Sequence, residues 1–467
     1  MEFGFWNLDF ITGGFKNPSL QFYNRVSRSA INIDFGVIEL AEISEFRGVR
    51  YNTATVQYMQ NVICPPYDVI SPQAQQELYE RNKYNMVRLE LGLEQEGDSE
   101  RNNRYTRARA EFNRWLKEGV LIQDQVPNYY VHEHSFEIGE AKKKRLELHA
   151  CVRLEPWENK IVVPHEFTMA KAKADRLDLM KACSADFSPI FGLYEDPGGK
   201  INQLIVNRVK SNPTYNFQSG TESHRLWAVN EPEFVQRVSH FLIPKPIYIA
   251  DGHHRYETAL AYREYRRELD PGCSGNEAYN YVMMALVSFS DPGIVILPIH
   301  RLVRGIRADT IDKFRKELTG YFDVSEASAG DMSLSAAAGS IRIYGLAPGQ
   351  VLGLTLLPTV RVNDFLKQKH SEAYGKLDVS VVQHVICEKL LGLPPGDSDN
   401  LAYTPSGESA CRMIDSGQFQ FAILLNPVST SAIKAVADAN DRMPRKSTFF
   451  YPKLPSGLVM FRTDGEI

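Results

Sequence analysis

The sequence has few cysteines, no excess of positive charge and no long uncharged apolar run. Its six cysteines in 467 residues include no Cys-x-x-Cys pair, which argues against a zinc ribbon and against a disulfide framework. With 53 Lys+Arg against 57 Asp+Glu, the formal net charge of −4 provides no general basic field for a polyanion such as DNA. The longest strongly apolar stretch without a charge, residues 278–290, is shorter than the roughly 20 residues that span a bilayer.

Several common signatures of nucleotide and hydrolase sites are also missing. The chain has no Gly-x-x-x-x-Gly-Lys-Ser/Thr loop, no Gly-x-Gly-x-x-Gly turn, no Gly-x-Ser-x-Gly elbow and no His-Glu-x-x-His helix. At the N-terminus, Glu2 stands where a signal peptide would have Lys or Arg, and no cleavage site follows. We therefore expect a cytoplasmic protein whose functional site matches none of these four signatures.

The rest of the composition fits a globular chain of two or three domains, with 43% hydrophobic and 24% charged residues. Helical and strand patterns alternate along the chain, which predicts a mixed α+β fold. Periodic patterns begin only near residue 38, so we expect a peripheral N-terminal extension. The predicted domains are the extension (1–39), an N-terminal α+β unit (40–155), a central unit (156–325) and a C-terminal α/β unit (326–467).

Three local patterns predict particular elements. Ser71 followed by Pro72 predicts the start of a helix, because serine caps a helix and proline suits its first position. Asp291-Pro292-Gly293 lies between two apolar runs, 281–288 and 294–299, and predicts a β-hairpin. Residues 326–340 are rich in Ser, Ala and Gly, which predicts a surface loop.

The most distinctive motif is Asp251-Gly252-His253-His254-Arg255, which follows an apolar strand and opens an amphipathic helix. A helix N-terminus with a glycine before it and an arginine in its first turn is typical of a phosphate site. In the simpler alternative, Asp251 caps the helix and the histidines are ordinary surface residues. Polar residues clustered at the end of a buried strand favour the functional interpretation.

Two further segments contain candidate site residues. Glu166 lies just before a helix that Thr168 is predicted to cap, and taken alone it would be a carboxylate favoured by the helix dipole. Residues 443–453 carry cations and hydroxyls between prolines, which could clamp an anion or form a solvated basic segment. The residues concerned are Arg445, Lys446, Ser447 and Thr448.

A separate pair, His132 and His134, lies on one face of a predicted strand, because alternate side chains of a strand point to the same side. The spacing places no third ligand beside them, so we interpret them as structural residues and leave any metal unassigned.

From about residue 40 onwards the chain resembles the domain of unknown function 1015 family of bacterial and archaeal proteins. The matching segments are Pro65-Pro66-Tyr67-Asp68-Val69-Ile70-Ser71, Val163-Pro164-His165-Glu166, Ala250-Asp251-Gly252-His253-His254-Arg255 and Lys446-Ser447-Thr448. Pro-His-Glu, Asp-Gly-His-His-Arg and a late Lys-Ser-Thr segment also resemble, in this order, motifs of free serine kinases of the ParB/sulfiredoxin superfamily. This more distant resemblance implies a ParB/sulfiredoxin-like core in residues 156–325 and a substrate-binding unit after it.

The kinase resemblance implies a phosphotransferase that uses ADP or ATP with Mg²⁺ and acts on L-serine or phosphoserine, in either direction. It makes Glu166 the general base, and Asp251 would orient the hydroxyl or a magnesium ion. The nucleotide phosphates would be held by Gly252, His253, His254 and Arg255. The product phosphate would be held by Arg445, Lys446, Ser447 and Thr448. Such a set suits phosphoryl transfer, which needs positioning and charge neutralisation more than covalent catalysis.

Other functions share parts of this pattern. A ParB-like regulatory or DNA-associated protein would bind a nucleotide without kinase activity, but the chain has no evident basic recognition helix. Sulfiredoxin chemistry needs a cysteine in the turn, where this sequence has His253. A plain nucleotide-binding module is the third alternative. We expect small-molecule partners, no membrane and no nucleic acid, and the sequence leaves the oligomeric state open.

Overall fold

Side-chain caps mark the start of two helices in the N-terminal half of the chain. The structure is a computed structural model that describes residues 41–243, 245–327, 340–366 and 368–467. In it the Ser71 hydroxyl accepts the backbone N–H of Ala74, and the helix begins at Pro72, which confirms the predicted start. Asn103 caps a later helix and forms a capping box with Thr106.

The α-helices in chain order are α1 (Pro72–Arg81), α2 (Val87–Glu90), α3 (Arg104–Lys117), α4 (Ala170–Cys183), α5 (Lys200–Arg208), α6 (Pro232–Leu242), α7 (His253–Leu269), α8 (Ala308–Glu317), α9 (Glu372–Gly375), α10 (Asp378–Val381), α11 (Gly407–Asp415) and α12 (Thr430–Asp438). A π-helix (Val382–Leu390) continues α10.

The strands in chain order are β1 (Ile43–Ser44), β2 (Val49–Tyr51), β3 (Leu121–Gln123), β4 (Tyr129–Ile138), β5 (Ala141–Arg153), β6 (Val162–Val163), β7 (Ala185–Asp186), β8 (Ile190–Tyr194), β9 (Tyr215–Ser219), β10 (Glu222–Val229), β11 (Ile247–Asp251), β12 (Tyr281–Ser288), β13 (Val295–Leu297), β14 (His300–Val303), β15 (Phe322–Ala327), β16 (Ser340–Tyr344), β17 (Val351–Leu356), β18 (Leu401–Thr404), β19 (Phe421–Leu424), β20 (Phe449–Tyr451) and β21 (Phe461–Arg462).

A nine-stranded mixed sheet forms the centre of the fold. Its order is β6-β11-β8-β12-β5-β4-β10-β9, and β1 pairs with the end of β5. Only β6 with β11 and β8 with β12 run parallel among the described strand pairs of this sheet. The sheet contains strands from both sides of the predicted boundary near residue 155, and the domain boundaries stay predictions.

Glycine at position 192 lets the strands of this sheet pack closely. A Cβ atom there would lie 2.8 Å from Cδ2 of Leu286 and 2.9 Å from Cγ2 of Ile247, both buried apolar side chains. Contacts that short are not tolerated without movement of the neighbours, so glycine is required for packing at this position.

The two faces of the large sheet are covered differently. One face packs against a six-stranded antiparallel sheet of order β15-β17-β16-β19-β14-β18, with Phe191 and Phe421 in the shared hydrophobic core. The other face is covered by α5, α6 and α7, which contribute Ile201, Val238 and Tyr256 to a second core. This arrangement confirms the mixed α+β class.

The predicted hairpin around Asp291-Pro292-Gly293 is wrong. β12 lies inside the large sheet, where β5 and β8 occupy both of its edges, so β13 cannot pair with it. β13 pairs instead with β20 near the end of the chain. The turn itself forms, since the Asp291 carboxylate accepts the Gly293 N–H at 2.7 Å.

The predicted extension (1–39) and most of the predicted loop (326–340) lie outside the described residues. Across the described ranges, no helix is both long and apolar enough to cross a membrane.

Candidate active site

Segments that are far apart in the sequence meet in a cleft at the end of β11. The cleft has a volume of about 110 Å³. Its lining contains these predicted site residues: Glu166, Asp251, Gly252, His253, His254, Arg255, Lys446 and Thr448. Folding therefore brings together three segments that the sequence analysis identified separately.

The turn after β11 has a conformation that favours glycine. Gly252 has φ 97°, in the left-handed region, and the first residue of α7 follows it directly. A Cβ at Gly252 would lie 3.0 Å from the guanidinium of Arg255, so both the backbone angle and the space require glycine. The first backbone N–H groups of α7, a helix of 17 residues, consequently point to the cleft end of β11.

Asp251 is an ion-pair partner of two cations. Its Oδ2 accepts from Arg255 at 2.7 Å and its Oδ1 from Lys453 at 2.5 Å. Burial alone would raise the pKa of Asp251, but the charges of Lys453 and Arg255 hold it well below its ordinary value. Arg255 also donates to the carbonyl of Pro189, so its guanidinium is fixed by protein groups.

The two histidines of the motif accept hydrogen bonds from the loop that carries Glu166. Nε2 of His253 accepts the backbone N–H of His165 at 3.2 Å, and Nε2 of His254 accepts that of Met169 at 2.9 Å. Burial lowers the pKa of both imidazoles, which agrees with neutral rings that have an unprotonated Nε2. In this arrangement the histidines position the Glu166 loop through Nε2, and both residues also line the cleft.

His165 links that loop to the C-terminal segment. Its Nδ1 donates to the carbonyl of Ile249 at 2.7 Å, and its Nε2 accepts from the Thr448 hydroxyl at 3.2 Å. Burial lowers the pKa of His165 to about 4, so the ring is neutral and both bonds are consistent with one tautomer. The predicted cap by Thr168 is wrong, because its hydroxyl donates to Glu257 at 2.6 Å and α4 has no side-chain cap.

Glu166 is half-buried and has a different environment from Asp251. Its Oε1 accepts the backbone N–H of Lys446 at 3.2 Å, and the residue forms a parallel bridge with Met443. Burial raises the pKa of Glu166, although the Lys446 amide and ammonium partly offset the effect. The carboxylate is therefore the more basic of the two acids predicted for catalysis.

Not every predicted residue reaches the cleft. Ser447 is buried and donates its hydroxyl to the carbonyl of Pro444, and Arg445 lies beside Gly396 and is not one of the lining residues. Lys446 does line the cleft, and it has the left-handed φ of 61°, which is uncommon for a side chain other than glycine.

Three lining residues with polar side chains were not among the predicted site residues. They are Tyr67, Asp68 and Lys453. The signal was present in the sequence, since Tyr67 and Asp68 belong to the Pro-Pro-Tyr-Asp motif and Lys453 ends the segment at 443–453. Asp68 has no ion pair among the described residues, in contrast to Asp251.

The family model described as "Protein of unknown function (DUF1015)" matches residues 43–380. No curated protein matches the chain. Among solved structures, the chain is similar to a conserved hypothetical protein from Pyrococcus furiosus at 11% identity and a TM-score of 0.33, covering 63% of this chain and 90% of that one.

Two further solved structures are similar at the same level. One is a free serine kinase in complex with AMP, with 10% identity, a TM-score of 0.34 and coverage of 65% of this chain and 88% of that chain. The other is SbnI from Staphylococcus aureus with a C-terminal truncation, with 11% identity, a TM-score of 0.34 and coverage of 68% and 87%.

Proposed function

The chain belongs to the DUF1015 family of proteins of unknown function, and we propose that its cleft transfers phosphate between a nucleotide and a small hydroxy amino acid. L-serine or phosphoserine is the proposed amino acid, and the transfer can run in either direction. The observation that carries the proposal is the contrast between the two carboxylates of the cleft, Glu166 and Asp251.

Glu166 suits the role of general base. A base must be ionised near neutral pH and yet bind a proton well, and a carboxylate with a raised pKa satisfies both conditions better than an ordinary one. Asp251 is a poor base, because two cations stabilise its ionised form. We assign Asp251 to positioning Arg255 and Lys453, and Glu166 to removal of the proton from the hydroxyl.

The nucleotide phosphates are proposed to bind at the start of α7. Unpaired backbone N–H groups and the helix dipole favour anions at a helix N-terminus, and Gly252 lets a phosphate approach the backbone closely. Lys446, whose side chain is exposed, adds a cation to the lining of the cleft. The cleft volume of about 110 Å³ is enough for a phosphate or a serine side chain. Drug-sized ligands need about 300–1,000 Å³, so the nucleoside would lie outside the cleft.

Mg²⁺ binds oxygen ligands, commonly one or two carboxylates together with the phosphates of the substrate. Asp68 fits that requirement because it lines the cleft and has no ion pair among the described residues, whereas both oxygens of Asp251 are occupied by cations. When bound, Mg²⁺ would neutralise charge on the phosphates, and Asp68 would hold it.

The order of the motifs supports a ParB/sulfiredoxin-like core as part of this proposal. Pro-His-Glu, the Asp-Gly-His-His-Arg turn and the Lys-Ser-Thr segment occur in that order, and all three meet at the cleft.

Phosphorus NMR tests the proposal directly. The full chain with Mg²⁺ and either ATP or ADP would be incubated with L-serine, D-serine, L-threonine and L-homoserine in turn. We expect a new phosphomonoester resonance with one of the L-amino acids, matched by loss of the nucleotide's terminal phosphate. Nucleotide binding in calorimetry without any such resonance would instead favour the ParB-like regulatory alternative, and absence of nucleotide binding would reject both.

A further inference from the structure

A second group of polar side chains lies in the large sheet towards its β9 edge, separate from the cleft. It consists of His132, His134, Glu147, His149, Glu222 and His224, which we term the histidine cluster. The strand register places them on one face, because His134 lies opposite His224 and His132 opposite Glu147. All are buried except Glu222, whose side chain is 30% exposed.

Hydrogen bonds fix the orientation of the imidazole rings in the cluster. Glu147 is paired with Arg145 at 2.8 Å, so its carboxylate is ionised and can only accept. Its other oxygen lies 2.8 Å from Nδ1 of His132, which must therefore donate. On its other side, Nε2 of His132 lies 3.1 Å from Nδ1 of His224, so a hydrogen bond joins the two rings.

Because Nδ1 of His224 is bonded to His132, the Nε2 atom of His224 is the ring nitrogen that faces Glu222. The distance from that nitrogen to Oε2 of Glu222 is 3.8 Å, and Nε2 of His134 lies 2.7 Å from the same oxygen. Ligand atoms around a tetrahedral zinc ion are separated by about 3.3 Å, as follows from metal–ligand distances of about 2.0–2.1 Å. The two observed distances lie on either side of that value.

We propose that His134, His224 and Glu222 form a binding site for a divalent transition-metal ion of the zinc type. Two imidazole nitrogens and one carboxylate favour such an ion over Mg²⁺ or Ca²⁺, which prefer oxygen ligands alone. The partly exposed side of Glu222 leaves room for water as a fourth ligand. His132 and Glu147 act as positioning residues, because a ligating histidine ordinarily donates its second N–H to such a partner.

The neighbouring set of His132, Glu147 and His149 is not the proposed site. Both oxygens of Glu147 already accept hydrogen bonds, and the guanidinium of Arg145, fully buried, would repel an adjacent cation. Arg145 also lies 3.4 Å from Nδ1 of His134, a long contact that metal binding would break. With the metal bound, Arg145 would keep its hydrogen bonds to Glu147 and to the carbonyl of Pro452.

The test is titration of chelator-treated full chain with Co²⁺ and then Zn²⁺. We expect one Co²⁺ per chain, with the strong visible absorption of a four-coordinate ion, displacement by Zn²⁺, and a higher melting temperature with Zn²⁺. His224→Gln and Glu222→Gln should each weaken binding at least 100-fold and abolish the thermal shift. His132→Gln should weaken binding by about 10–100-fold with the stoichiometry unchanged.

Two matched variants separate this site from other modes of binding. His240→Gln removes an exposed histidine outside the cluster, and His149→Gln removes a buried one inside it; both should bind Co²⁺ like the wild type. An equal loss in His149→Gln would place the ion at the other set and overturn the proposal. Wild-type affinity for Co²⁺ in Glu222→Gln would also overturn the proposal, since this partly exposed side chain should be replaceable without impairing folding. The weak absorption of a six-coordinate surface ion would overturn it as well.

Discussion

Replacing Glu166 by Gln removes the proposed base while keeping its shape. The amide oxygen can still accept the Lys446 N–H, which Oε1 of Glu166 accepts at 3.2 Å in the native cleft. Gln cannot take a proton from the amino acid hydroxyl. Loss of general-base catalysis lowers turnover by about 10²–10⁴-fold, and the nucleotide should bind with its native affinity.

The same substitution has a calculable effect on stability and on pH dependence. Because the folded-state pKa of Glu166 is raised, its ionisation opposes folding, and the wild type loses this part of its stability as the pH rises through that pKa. The Gln variant has no such loss. A weaker hydrogen bond to Lys446 costs about 1 kcal/mol at most, so we expect its melting temperature within about 2–4 °C of the wild type.

Turnover should be measured as the rate of phosphomonoester formation across pH 4–8. Nucleotide affinity should be measured by calorimetry on the same preparation. The wild-type rate should rise with pH through the raised pKa of Glu166, and that rise should be absent from the variant. Glu158→Gln, an exposed substitution of the same type in the segment before β6, is the matched control. Unchanged turnover in Glu166→Gln, or a loss that only mirrors weaker nucleotide binding, would refute the assignment.

Three other substitutions test the packing and charge of the structure. Lys453→Met should destabilise the chain by about 1–3 kcal/mol in urea unfolding at neutral pH, and this difference from the wild type should shrink on acidification, because the variant no longer has the full lowering of the Asp251 pKa that protonation removes. His253→Leu should cost about 1–3 kcal/mol and lower turnover, since a buried backbone N–H of the base-carrying loop loses its acceptor; a stable, fully active variant would contradict the positioning role. Gly192→Ala should cost about 1–3 kcal/mol by overpacking, whereas Gly320→Ala, into open space, should change stability by less than about 1 kcal/mol; equal melting temperatures would refute the packing argument.

Short-range signals in the sequence determined several features of this protein correctly. The Ser71 cap and the strand, turn and helix around Gly252 depend on backbone angles and on hydrogen bonds within a few residues, so neighbouring residues are sufficient to specify them. The motif segments around Glu166 and Lys446 were also identifiable, and the structure brings both to the cleft. Their catalytic roles stay predictions.

Only the tertiary structure decided which partners those segments have. The turn after β12 predicts a hairpin, but β5 and β8 occupy both edges of β12, and no local pattern contains that information. The family resemblance assigns His253 and His254 to the nucleotide phosphates, and that role stays a prediction. Only the fold shows that both rings also accept backbone N–H groups of a loop more than 80 residues earlier. Glu222 and His224 join His134 only because β10 pairs with β4. Pairing of distant strands depends on the burial of whole faces, and that free energy is summed over the fold instead of being encoded at any one position.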